Sequence, residues 1–233
     1  MLSPDISTSE QELAALHRLY AALAREMDPE SGLGGKLLFA GELHPDGCRL
    51  VRAANIAGAA SMAASADAAT LRQAVRDGVI DFLVTTLDEA LRILKNEIRK
   101  LQPVAVGVAA APLVLIAQML ERGVLPDLLP PGSPDDPELA ALIAQGAHSL
   151  QAQPQSPERQ FLVWPIPIAW AQRTAEFDAL LLDRLAPGDH ANRRWLRLSP
   201  RYLGTQARRL RSLECDLETA SGWLDWVRQL AAE

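Results

Sequence analysis

Aromatic residues make up only 5% of the chain, so any core must be built mainly from leucine, alanine and valine. Cysteine occurs twice, at Cys48 and Cys215, too rarely and too far apart for a disulfide framework. With no cleavable leader opening the sequence, that scarcity points to a reduced, cytoplasmic protein. Basic residues do not dominate. The formal net charge is -6, which argues against a surface that serves as a platform for polyanions and disfavours nucleic acid as a partner. The uncharged run from Pro103 to Leu120 contains Pro112 and divides into a strand and a helix, so no membrane span is expected. His17, His44, His148 and His190, taken with the two cysteines, show no metal-ligand spacing. A G-x-S-x-G elbow and a phosphate loop are also missing.

What the sequence does contain is enough apolar material, 48% against 22% charged, for one domain with a substantial appendage in 233 residues. From Gly34 to Leu129, short apolar runs alternate with amphipathic ones. Lys36 to Gly41 is glycine-bounded and apolar, and reads as a buried strand; Cys48 to Ala60 is alanine-rich and reads as helix, interrupted by Gly58. Val79 to Thr85 is the next strand candidate. Thr86-Leu87-Asp88-Glu89 is a capping-box signature, opening a helix with Leu87, Leu91, Leu94, Ile98 and Leu101 at helical spacing. Val104 to Val108 reads as another strand, and Pro112 starts a helix that Gly123 stops. Strands joined by crossover helices imply a parallel sheet, because a tight hairpin cannot connect a parallel pair. The expected fold class is therefore α/β, a Rossmann-like parallel sheet with flanking helices and mainly helical appendages at both ends.

Three regions follow. Residues 1–32 hold an N-terminal helix from Ser9 behind a loose tail of residues 1–8, residues 33–132 the Rossmann-like domain, and residues 133–233 a mainly helical C-terminal region. Within the last, a helix is expected from Glu138 to Leu150 and an extended segment from Phe161 to Trp170. Further helices are expected from Trp170 to Leu185, after Asp189, and from Thr205 toward Gln229.

A dinucleotide site needs glycines in the turn after the first strand, where the backbone must close on a pyrophosphate at a helix N-terminus. Here that turn is Gly41-Glu42-Leu43-His44-Pro45-Asp46-Gly47-Cys48: the spacing is wrong, Pro45 removes a donor, and Glu42 and Asp46 would repel phosphate. Asp67 lies at a distance suited to a ribose, although an isolated aspartate is more often a turn residue. His44 and Cys48 could form a thiolate pair on the same loop, weighed against a solvent-exposed histidine beside a small buried thiol. Between Arg193 and Arg211 stand seven arginines and no acid. Arg193, Arg194, Arg197, Arg208 and Arg211 are the anion-binding candidates, set against an ordinary solvated face.

These residues also carry a resemblance. Gly35 to Gly41 is similar to the strand leading into the NAD loop of the urocanases (urocanate hydratases), and Ala53 to Ala59 to the helix behind it. The similarity runs from Gly58 through Thr86 to Leu91 and Val104 to Val108, and on to Arg122-Gly123-Val124-Leu125-Pro126-Asp127, which resembles the family's Arg-Gly-Val-x-Pro-Asp signature. A fainter match includes Phe161, Pro167, Trp170, Pro187-Gly188-Asp189 and Arg194-Trp195-Leu196. The resemblance implies a Rossmann-like fold, NAD as the family cofactor, a hydro-lyase reaction in which NAD acts as an electrophile on the imidazole ring, and a homodimer.

The departures bear on that chemistry. The family's Gly-Gly-Met-Gly-Gly-Ala-Gln loop falls on His44 to Leu50, where only Gly47 survives behind Gly41. Its ribose-binding glutamate and neighbouring arginine fall on Ser65 and Thr70, and the Gly-Asn pair on Ala110 and Ala111. The Gln-Thr-Ser-Ala-His-Asp-Pro motif is reduced to Gly132-Ser133-Pro134-Asp135-Asp136-Pro137, and the catalytic-loop cysteine falls on Leu162. The expectation is a non-catalytic relative that binds no NAD and no metal and takes an unidentified small molecule or protein as partner. Two alternatives stand beside it: a divergent lyase acting on a small polar substrate at the strand C-termini, and an arginine-lined anion-binding module.

Overall fold

The structure is a computed structural model that describes residues 4–132, 137–151, 158–204 and 209–230. It forms two compact units, Ala15–Ala152 and a second made of Met1–Ala14 with Gln153–Glu233.

The first unit follows the alternating pattern. Its elements are α1 (Pro4–Ala24), which contributes to both units, β1 (Leu37–Glu42), α2 (Pro45–Ala57), β2 (Ala60–Ala64), α3 (Ala68–Arg76) and β3 (Phe82–Val84). Then come α4 (Leu87–Arg99), β4 (Ala105–Val108), α5 (Pro112–Glu121), β5 (Leu128–Leu129), α6 (Pro137–Ala144) and β6 (His148–Ser149). The six strands form one sheet in the order β3-β4-β2-β1-β5-β6, every pair parallel. Strand residues alternate between its faces. On one face Leu37, Phe39, Met62 and Val106 join Leu87 and Leu94 of α4, Ile116 and Met119 of α5 and Leu142 of α6 in a single apolar cluster. α2 packs on β1 and β2. Helices on both faces of a parallel sheet make this an α/β, Rossmann-like fold.

Three expectations need correction here. Ala60–Ala64, expected as the end of a helix and then nothing, is a central strand with every residue buried. Ala-Ser-Met-Ala-Ala has little intrinsic preference for strand, and pairing to β1 on one side and β4 on the other overrides it. Its small side chains suit a strand covered on both faces. The helix expected from Glu138 to Leu150 stops at Ala144, where Gly146 at φ +112 turns the chain into β6. At the other end α1 begins at Pro4, inside the expected loose tail, of which residues 1–3 lie outside the described residues.

The second unit contains β7 (Arg159–Pro165), a 3-10 turn at Ile168–Trp170, α7 (Thr174–Arg184), α8 (His190–Tyr202), β8 (Leu210–Asp216) and α9 (Leu217–Leu230). The helix expected from Thr205 starts only at Leu217, because residues 210–216 pair antiparallel with all of β7, Leu162 opposite Leu213. Side chains from α8 cover the outer edge of β8. Asn192 accepts from the Glu214 amide at 3.2 Å and donates to its carbonyl at 2.7 Å, and the Trp195 indole N–H donates to the Ser212 carbonyl at 3.0 Å. Asn192 thus imitates a neighbouring strand, which protects an edge that would otherwise be open.

Candidate functional site

In open α/β sheets a ligand belongs outside the carboxyl ends of the strands, where the strand order reverses. Here the reversal is at β1, which lies between β2 and β5. Because β4, β2 and β1 are consecutive neighbours, the topology brings Ala110 and Ala111, Ser65 and Thr70, and Gly41 and Gly47 to one edge of the sheet. They fall together, but with local duties.

The turn from β1 into α2 is closed by its own residues. Gly41 has φ +76, a left-handed conformation that glycine adopts without strain. His44 is the N-cap of α2, and its Nδ1 accepts from the amides of Asp46 and Gly47 at 3.2 Å each. Pro45 has no amide hydrogen, and the Cys48 amide donates to the His44 carbonyl at 2.9 Å. Every first-turn donor that could face an anion is therefore absent or engaged. Gly47 is buried against the end of β1, where a Cβ would lie 1.9 Å from the Glu42 carbonyl oxygen. Replacing His44 with alanine is expected to destabilise the first unit by about 1 kcal/mol, the usual worth of an N-cap, read as a lower denaturant midpoint at unchanged slope.

A reactive pair does not form on this loop. The imidazole Nδ1 is turned to the helix amides, Asp46 pairs with Arg49, and Cys48 is half-buried with its thiol pushed up from the ordinary range by burial, an effect that the nearby Arg52 only partly offsets. A raised thiol supplies less thiolate, opposite to what a nucleophile needs.

After β2, Ser65 is buried and its Oγ accepts from the Asp67 amide at 3.2 Å. Asp67 is the N-cap of α3: one carboxylate oxygen accepts from the Ala69 amide at 2.9 Å, the other from the Thr70 amide at 3.0 Å and the Thr70 hydroxyl at 2.7 Å. The positions of ribose partner and arginine are thus spent on capping a helix. The Thr70 hydroxyl first, then the Ala69 and Thr70 amides, hold the Asp67 carboxyl below its usual range. A depressed folded-state value gives stability that is present above the unfolded-state range and is lost as pH falls through the folded one. The melting-temperature gap between the natural chain and Asp67→Asn is therefore expected at neutral pH and should close in acid. A gap that is constant with pH would contradict it.

Beyond β4, Ala111 is the N-cap of α5 with no side-chain bond, and Pro112 follows at its first position. Around this edge Leu113 and Val114 are exposed. The signature-like segment after α5 is structural: Arg122 pairs with Asp88, Gly123 stops the helix at φ +64, and Val124 packs against the core. Asp127 accepts from the Leu37 amide at 2.8 Å and from Lys36 Nζ at 2.9 Å, which fixes the start of β1. Ser133 to Asp136 of the reduced motif lie outside the described residues.

In the second unit the arginine cluster does not converge. Arg211 is 5% exposed and holds Asp178 with two parallel bonds, Nε to Oδ1 at 2.6 Å and Nη2 to Oδ2 at 2.9 Å. Arg193 Nη1 donates to the carbonyls of Leu182 and Leu185 at the end of α7. Both are structural, which corrects the expectation of an anion site built on them. Arg194 is half-buried and Arg197 exposed on α8, while Arg208 lies outside the described residues. Leu162, expected from the resemblance to stand in place of a loop cysteine, is 3% exposed inside β7.

Among the described residues no group of three or more histidine, cysteine or acidic side chains could hold a metal, and no helix is long and apolar enough to cross a membrane. A family model of the urocanase Rossmann-like domain matches residues 17–133. That match spans half of the chain and contains all of β1 through β5 with their connecting helices, so the protein belongs to the urocanase family.

Proposed function

We propose that the chain is a non-catalytic member of its family, a cytoplasmic ligand-sensing or protein-interaction protein that does not carry out NAD-dependent hydration of urocanate. One observation carries this: the amides that would face a pyrophosphate at the start of α2 donate instead to the His44 imidazole. The residues present do not fit a dinucleotide. Glu42 and Asp46 put carboxylates beside the turn, Ser65 and Thr70 serve the α3 cap, and alanines stand after β4. Neither the divergent lyase nor the anion module has an observation in its favour, since Cys48 is a poor nucleophile and Arg211 is neutralised.

Thermal shift with NAD, urocanate, imidazole acids and nucleotides, run beside an absorbance assay for urocanate loss, tests the reading. No stabilisation by NAD and no turnover are expected. A ligand present at about 100 times its Kd would add about 2.7 kcal/mol, a shift of several degrees that could not be missed. Saturable NAD binding of that size, or urocanate consumption, would overturn the proposal.

A further inference from the structure

The parallel sheet ends at β3, a three-residue strand paired on one side only, to β4. Phe82 is 48% exposed and Leu83 41%, unusual for a strand edge, where charge, proline or a covering element normally discourages pairing. Beside Phe82 an open groove of about 1110 Å³ runs along the C-terminal half of α4 to Pro103 and Val104. It lies at the N-terminal ends of the strands, so it does not depend on what occupies the opposite edge. The groove carries Arg92, Lys95 and Arg99 with Asp81 and Glu97. Both acids are used internally: Asp81 accepts from the Ala105 amide at 2.8 Å, and Glu97 from Lys100 at 2.7 Å. Arg92, Lys95 and Arg99 have no ion-pair partner among the described residues, Arg99 touching only the Asn96 side chain at 3.4 Å.

We propose that this edge takes up an extended acidic segment of another polypeptide, which adds a strand beside β3 and sets its carboxylates against Arg92, Lys95 and Arg99. Backbone pairing would supply affinity, and alternate side chains specificity. Residues pointing to the α4 side meet Phe82 and the three cations, while those pointing the other way meet Leu83. A second copy fits poorly, because pairing two β3 edges about a twofold axis sets the same cations against each other. Nucleic acid fits poorly too, because a phosphodiester chain has no alternating amides and carbonyls to pair with the β3 edge.

The test uses the full chain and a labelled peptide of alternating glutamate and valine, followed by fluorescence anisotropy. Saturable binding is expected, weakened at least about ten-fold by Arg92→Glu with Lys95→Glu and by about 0.5 M salt. Hydrogen exchange should slow within residues 82–84, the Thr85 amide being already held by the Glu89 carboxylate. These helix positions are exposed, so the double variant should melt within about 1–2 °C of the natural chain. Absence of binding at about 1 mM peptide, equal binding of a lysine-valine peptide, or an unchanged affinity in the double variant would overturn the proposal. So would a concentration-dependent dimer that Leu83→Lys dissolves, which would assign the edge to a second copy.

Discussion

Asp178→Ala is expected to destabilise the second unit by about 3–5 kcal/mol, because it strands a guanidinium that the fold has taken out of water. Arg211 is the second residue of β8, opposite Trp164 of β7, and its side chain is 5% exposed against 20% for Asp178. Two parallel bonds to Asp178 and one from Nη1 to the Leu210 carbonyl at 3.0 Å satisfy three of its nitrogens. Removing the carboxylate takes two hydrogen bonds and the opposing charge of Asp178 from a buried guanidinium. Removing the charge as well should relieve that cost, so Asp178→Ala combined with Arg211→Met should be clearly more stable than Asp178→Ala alone. The readout is local, since all five tryptophans lie between Trp164 and Trp226 and their fluorescence follows this unit. A loss below about 1 kcal/mol in Asp178→Ala would mean that the pair is no better than a surface ion pair.

That arginine illustrates how far the sequence could be read. Seven arginines without an acid between Arg193 and Arg211 suggest an anion site, because the partner of Arg211 is 33 residues away, on α7. No local pattern reveals such a neighbour. The strand β8 was hidden for a related reason. Its alternation is weak, and it exists because β7 pairs with it on one side and Asn192 and Trp195 of α8 complete it on the other. Where the signal is periodic and local, the reading holds. The capping box Thr86 with Glu89 begins α4, Pro112 begins α5, and Gly123 ends it.

The candidate site divides along the same line. Loss of phosphate glycines is visible in the sequence, as is the repulsion expected from Glu42 and Asp46. The duties taken up by the replacements are not. His44 as N-cap of α2 could have been inferred from its place just before Pro45, since proline favours the first helical position. Asp67 as N-cap of α3 required that α3 be recognised, and that depended on seeing β2. The signature-like residues from Arg122 to Asp127 persist because they fix α5 to α4 and β5 to β1, tasks that remain whatever chemistry the loops support.

Gly47→Ala should be the most damaging single change in the first unit, and it separates a glycine kept for packing from one kept for a ligand. The added Cβ would stand 1.9 Å from the Glu42 carbonyl oxygen, and backbone on both sides leaves no flexible side chain to give way. Either α2 withdraws from β1 or β1 bends at the centre of the sheet. We expect a loss of about 3 kcal/mol, the upper range for overpacking, and a melting temperature lower by roughly 6–12 °C. Gly41→Ala provides the contrast, since its Cβ would meet nothing within 4 Å and only the φ of +76 opposes it, a cost of about 1–2 kcal/mol. Far-UV circular dichroism follows both, because the first unit contains no tryptophan. If Gly47 served a phosphate, its substitution would abolish a ligand-dependent shift while the unliganded melting temperature stayed level. A large loss without any ligand is instead what a helix packed directly on a strand demands.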